Sequence, residues 1–255
     1  MKNSIVSKLS YILKKAKLFL FIKLHEKKSE RIKYIYLNNG TNTLYIIFSA
    51  FDKTDKQRKY NYVKSFKTLN IDLLFLSDPF GYRGSYYLRE CGDKLPERQV
   101  DMLLKPILAN KNYSHVITMG TSKGGTAALY YGLKLGVDEI VVGACQYRLG
   151  NYLSNYPRIF KGMMGCFPCK SHINILDRIL PEHLKKHKDT KTFIHLIHSK
   201  QEVTYEDDEK YLIADLNHLG FIWKENEYGF KEHSEVGKYF IPYVKALASD
   251  SSRKL

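Results

Sequence analysis

The segment Gly120-Thr121-Ser122-Lys123-Gly124 reads G-x-S-x-G, and Gly125 follows it directly. A serine hydroxyl is a weak nucleophile, so a chain that uses one must expose it on a tight turn and supply a base. The apolar run HVITMG (115–120) precedes this serine and the alanine-rich GGTAALYYGL follows it, which places it between a strand and a helix. Small residues at 120, 124 and 125 let strand and helix approach each other, and Ser122 then points out of the carboxyl edge of a sheet. The amide of Lys123, at the start of the helix, faces any oxyanion that forms there. A phosphate loop of the Walker type is excluded by order, because its lysine precedes the hydroxyl residue and here Lys123 comes after Ser122.

Such a serine needs a base and an orienting acid, in the chain order Ser, acid, His. The acid belongs in the loop after the next-to-last sheet strand. TFIHLIHS (192–199) is that strand, and Glu202 comes within three residues of its end. Glu206, Asp207 and Asp208 fall in or near the next helix, where acids serve as N-terminal charge; Asp207 and Asp208 stay open as alternative acids. The base belongs after the last strand, and His233 in GFKEHSEVGKYF follows FIWKEN and starts the final helix. His218 precedes that strand, while His195 and His198 lie in or at the end of one. A second oxyanion donor is expected after an early strand, where FSAF (48–51) offers the small residues Ser49 and Ala50.

The elements that must position these residues alternate along the chain. Strands are expected at 34–37, 43–51, 71–78, 115–120, 139–145, 192–199 and 221–226. Helices are expected at about 55–68, 96–110, 122–136, 206–218 and 233–248. Near-continuous apolar strands separated by helices mark a mostly parallel sheet covered on both faces, an α/β fold. No internal repeat or low-complexity linker divides the chain, so residues 31–255 read as one domain, with 147–190 inserted as a helical cap over the site.

The 255 residues are 44% hydrophobic and carry a formal net charge of +15. Residues 1–34 hold ten Lys/Arg against Glu26 and Glu30, so the excess concentrates there. Residues 1–30 read as a basic amphipathic helix with apolar residues at helical spacing from Ile5 to Leu24. It either lies on an anionic membrane surface through residues 1–28 or packs on its own domain or on a second subunit, as in a homodimer. No stretch reaches the ~18 apolar residues of a membrane span, and KLHEKK offers no signal cleavage site. Four scattered cysteines fit a reducing cytoplasm. Cys166 and Cys169 have CxxC spacing but lack the second ligand pair of a zinc site and the strand-to-helix setting of a redox motif, so no metal is expected. The tyrosines are dispersed and no nucleic-acid motif is present, so nucleic acid is not an expected partner.

With these residues in view, the chain resembles the bacterial capsular-polysaccharide O-acetyltransferases of the α/β-hydrolase fold. The likeness covers most of 34–245 and rests on FSAF, YNYVKSF (60–66), RGSYYL (83–88), GTSKGGTAALYYGL, ACQYRLGNYL, SKQE and EHSEVGKYF. The acid of those relatives is an aspartate, where this chain has Glu202. The resemblance implies a ping-pong reaction with acetyl-coenzyme A as co-substrate, no permanently bound cofactor, and a capsular polysaccharide or oligosaccharide acceptor. Ser122 would accept the acetyl group, with His233 as base and Glu202 as acid. Arg83, Tyr86 and Gln146 are then expected in the donor or acceptor pocket. The expected setting, read from the cysteines and the basic helix and not from the resemblance, is cytoplasmic, and peripheral at the inner face of the cell membrane if residues 1–28 lie on it. A serine esterase would use the same three residues, and a non-catalytic scaffold of a polysaccharide assembly complex would keep the same fold.

Overall fold

The computed structural model describes residues 2–51 and 60–251. Eight strands form one sheet: β1 (Glu26–Ser29), β2 (Ile32–Leu37), β3 (Thr43–Phe48), β4 (Asp72–Leu76), β5 (His115–Thr121), β6 (Glu139–Gly143), β7 (Phe193–His198) and β8 (Trp223–Glu227). Their order is β1-β2-β4-β3-β5-β6-β7-β8. The β1–β2 and β2–β4 pairs are antiparallel, and every other pair is parallel.

The reason for this stack is written in the strands themselves. All six residues of β3 and all five of β4 are buried, so the centre of the sheet is covered on both faces, while the edge strands β1 and β8 are partly exposed. Leu44, Ile46 and Phe48 project into one core, while Tyr45 and Ile47 project into the other. The first core is covered by α3 (Leu95–Asn110), α4 (Lys123–Leu135), α7 (Lys170–Lys186) and α8 (Lys210–His218). The second is covered by α2 (Val63–Phe66), α9 (Val236–Ser251) and the inner side of α1 (Lys2–His25).

Two expectations are corrected at this level. The N-terminal helix does not run to residue 30: it ends at His25, and Glu26–Ser29 pair with β2 as an edge strand. Glu26 is held there by Lys33 and by the Tyr60 hydroxyl, and the lysines of EKKS charge the open edge. The expected polar helix at 55–68 begins outside the described residues, and what is described of it is the single turn Val63–Phe66. Residues 147–190 fold as α5 (Leu149–Ser154), α6 (Pro157–Met164) and α7.

The strand-to-helix turn after β5 depends on missing side chains. A Cβ on Gly120 would stand 2.3 Å from the Gly124 carbonyl oxygen, and one on Gly124 would stand 2.4 Å from that of Phe48. Both obstacles are backbone, which cannot rotate away. Gly120→Ala is therefore expected to lower unfolding free energy by at least ~2–3 kcal/mol in urea titrations, with no such loss for Gly136→Ala, whose position is open and costs only its positive φ.

Candidate active site

Ser122 is the residue that turns the chain from β5 into α4. Its φ of 53° and ψ of −130° lie where a side chain is strained, and its amide bonds to the Gly143 carbonyl at 2.8 Å. The turn lifts the hydroxyl to the wall of a cavity of ≈ 690 Å³ at the carboxyl edge of the sheet. Arg83, Asn61, Tyr152, Tyr156 and His233 line the same cavity.

The loop after β7 carries Glu202 and the loop after β8 carries His233. His233 Nδ1 donates to Glu202 Oε1 at 3.1 Å, and the Thr204 hydroxyl donates to the other carboxylate oxygen. Burial would raise the Glu202 carboxyl, but these hydrogen bonds outweigh it and hold the group below its ordinary value. A carboxylate on Nδ1 fixes the tautomer with its lone pair on Nε2. That nitrogen is buried and has no hydrogen-bond partner among the described residues. A capping box between Glu232 and Glu235 holds the turn that presents the ring. Asp207 and Asp208 do not share this contact. Asp208 instead accepts the amides of Tyr147 and Arg148 at 2.9 and 2.6 Å, which fixes the segment that follows Gln146.

Lys123 has a second role besides its amide. Its side chain is 1% exposed and pairs with Asp78, equally buried, at 2.7 Å. Burial pushes the amine below its ordinary pKa and the Asp78 charge opposes that shift. Asp78 also accepts the amides of Ser85 and Tyr87, so the ion pair ties the start of α4 to the loop that carries Arg83.

Several residues expected in the pocket stand elsewhere. Ser49 is a correction: it lies behind the cavity, with its amide and hydroxyl both bonded to the Tyr87 hydroxyl at 2.9 and 2.8 Å. Ala50 does line the cavity, but its amide already donates to Asn61 Oδ1 at 2.9 Å. Tyr86 and Gln146 are corrections too, because both are fully buried beneath the serine rather than on the cavity wall. The Tyr86 hydroxyl donates to Gln146 Oε1 at 3.3 Å, and Gln146 Nε2 donates to Ser122 Oγ at 3.2 Å. Two tyrosines at positive φ let RGSYYL fold inward, which places Tyr86 in the core while Arg83 faces the cavity.

Asn61 escaped the sequence reading. Its signal was there in YNYVKSF, a polar residue among aromatics, but nothing local tells which backbone amide it meets. The CFPC segment lies between α6 and α7, and Cys169 stands at the N-cap position of α7. Its thiol, hydrogen-bonded to Ser171 and then to His172, is pulled to about 7. Among the described residues no group of three or more His, Cys, Asp or Glu side chains is arranged to hold a metal ion.

No protein-family model matches the chain, and no curated protein does. Solved structures do match. The capsule O-acetyltransferase of Neisseria meningitidis serogroup A, in complex with caged gadolinium, superposes with a TM-score of 0.77 at 24% identity, covering 88% of this chain and 93% of that one. A histidine-to-alanine variant of that enzyme in complex with CoA gives 0.75 at 26% identity, over 88% and 94% of the two chains. The chain is thus similar in structure to a capsule O-acetyltransferase with an α/β-hydrolase fold. A fluorophosphonate-binding serine hydrolase of Staphylococcus aureus shares that fold, with a TM-score of 0.61 at 12% identity over 88% of this chain and 95% of that one.

Asp208 gives the site a testable pH signature. Burial raises its carboxyl to about 6, although the Arg148 and Tyr147 amides oppose this. A raised acid binds its proton more tightly when folded, so its stabilisation is full below the unfolded value near 4 and is lost as pH rises through about 6. Asp208→Asn keeps an oxygen for both amides and removes the buried charge. Chemical denaturation across pH 4–7 is expected to show wild-type stability falling by on the order of 2–3 kcal/mol relative to this variant.

Proposed function

We propose that the protein is an O-acetyltransferase that carries acetyl groups from acetyl-CoA to hydroxyls of a bacterial capsular or surface polysaccharide through an acetyl-serine. The observation that carries this reading is the partner-free Nε2 of His233, held in its tautomer by Glu202 and sharing one cavity with Ser122. The similarity at 26% identity to an O-acetyltransferase crystallised with CoA supports the choice of reaction and donor.

In this mechanism His233 Nε2 takes the Ser122 proton as Oγ attacks the thioester carbonyl. The Lys123 amide, an unshared donor in the first turn of α4, faces the oxyanion. Asn61 is the second donor: its Oδ1 is fixed by the Ala50 amide, which leaves Nδ2 on the cavity side. Collapse of the intermediate expels the CoA thiolate with the proton from His233. A sugar hydroxyl then gives its proton to His233 as its oxygen attacks the acetyl carbonyl, and collapse breaks the bond to Ser122 Oγ, which takes that proton back from His233 as the sugar ester leaves. Tyr152 and Tyr156, with rings 5.1 Å apart on α5 and just before α6, offer a sugar platform, and 147–190 acts as the cap. Arg83 lies across from them as the cation for an anionic substrate group.

Incubation with acetyl-CoA is expected to add one acetyl group to the peptide containing Ser122, seen by mass spectrometry, and capsule oligosaccharide is expected to discharge it as a sugar ester. Release of free acetate without any sugar ester would make the protein an esterase. Ser122→Ala is expected to abolish labelling. Glu202→Gln, which permits the wrong tautomer, is expected to lower kcat by roughly 10³–10⁴-fold. Asn61→Ala is expected to cost about 10²-fold in kcat with little change in the KM for acetyl-CoA, as loss of one oxyanion donor does; steady-state kinetics separates the two parameters.

A further inference from the structure

The N-terminal helix has two apolar faces, and the domain uses one. Leu18, Phe21 and Ile22 pack on the core beneath α9, with Lys67 over the Phe21 ring at 4.5 Å. On the other side Ile12, Leu13, Phe19, Leu20 and Leu24 are 54–72% exposed. At 100° per residue they span a sector of about 140° opposite Leu18, a largely apolar stripe that also contains Lys23.

The charges around that stripe are of one sign. Lys15 and Lys17 are exposed on its two flanks, Lys23 is exposed within it, and Lys23 lies 5.4 Å from the Phe19 ring centroid. The whole helix Lys2–His25 contains no acidic residue. No helix among the described residues is long and apolar enough to cross a membrane. An exposed apolar stripe interleaved with lysines is instead the pattern of a helix lying in the lipid headgroup plane. Packing against a second copy would set lysines against lysines with no carboxylate on the helix to offset them.

We infer that this outer face of α1 docks on an anionic membrane surface, with the apolar side chains entering the headgroup boundary and the lysines meeting lipid phosphates. The helix is anchored to the domain by its inner face, so the docked surface carries the catalytic body with it. This inference does not depend on the proposed reaction.

The test is co-sedimentation of the full chain with vesicles of phosphatidylcholine alone or mixed with phosphatidylglycerol. Binding to the anionic vesicles is expected to exceed binding to neutral ones at least ~10-fold and to weaken when salt rises from ~0.1 to ~0.5 M. The pair Phe19→Ser with Leu20→Ser, and the pair Lys17→Glu with Lys23→Glu, are each expected to reduce it about tenfold or more. Both pairs sit at exposed positions, so thermal unfolding should match wild type. Equal partition onto neutral vesicles would overturn the inference, as would binding that neither pair weakens. Absence of vesicle binding, with a dimer in analytical ultracentrifugation that the Phe19/Leu20 pair dissociates, would assign the face to a second copy instead.

Discussion

The buried ion pair of Lys123 and Asp78 is the constraint around which the site is assembled. Two charges taken from water cost several kcal/mol each, and their attraction offsets this only when the remaining polar atoms are also met. Here Asp78 takes two backbone amides of the RGSYYL loop, and the lysine lies 4.7 Å from the Tyr87 ring centroid. The pair thereby joins three things that the chain keeps far apart: the end of β4, the strained loop with Arg83, and the first residue after the serine. The lysine directly behind Ser122 is thereby explained as a structural partner of Asp78.

The parallel sheet supplies the rest of the convergence. Ala50, Ser122, Gln146, Glu202 and His233 follow β3, β5, β6, β7 and β8, and parallel strands bring all those ends to one edge. Backbone strain gathers at that edge too, with positive φ at Arg83, Tyr86, Tyr87, Ser122 and Ala144. Such conformations persist only where surroundings fix them, and the glycines at 120 and 124, the Asp78 carboxylate and the β6–β7 ladder provide that fixing.

Strand periodicity and the glycine spacing made the sheet and the serine turn legible, because both are local properties of the sequence. Chain order then brought Glu202 and His233 into view, since each loop end is set by the strand before it. The failures are of another kind. Tyr86 and Gln146 have the same composition whether they line a pocket or brace the floor under it, and only the inward turn of RGSYYL decides. The capture of the Ser49 and Ala50 amides by Tyr87 and Asn61 joins residues 38 and 11 apart through side chains, which no spacing rule encodes. The edge strand β1 is equally invisible, for EKKS has no strand pattern and gains its shape from β2.

The Gln146 amide holds the serine oxygen from below. A hydroxyl oxygen that accepts an amide hydrogen has its electron density drawn inward, and its own hydrogen is turned toward the open space in front. Tyr86 clamps the far end of that amide, which fixes the side chain against Ser122. The floor beneath the serine is thus a buried chain of three side chains, Tyr86, Gln146 and Ser122, in which each polar atom is oriented by the next.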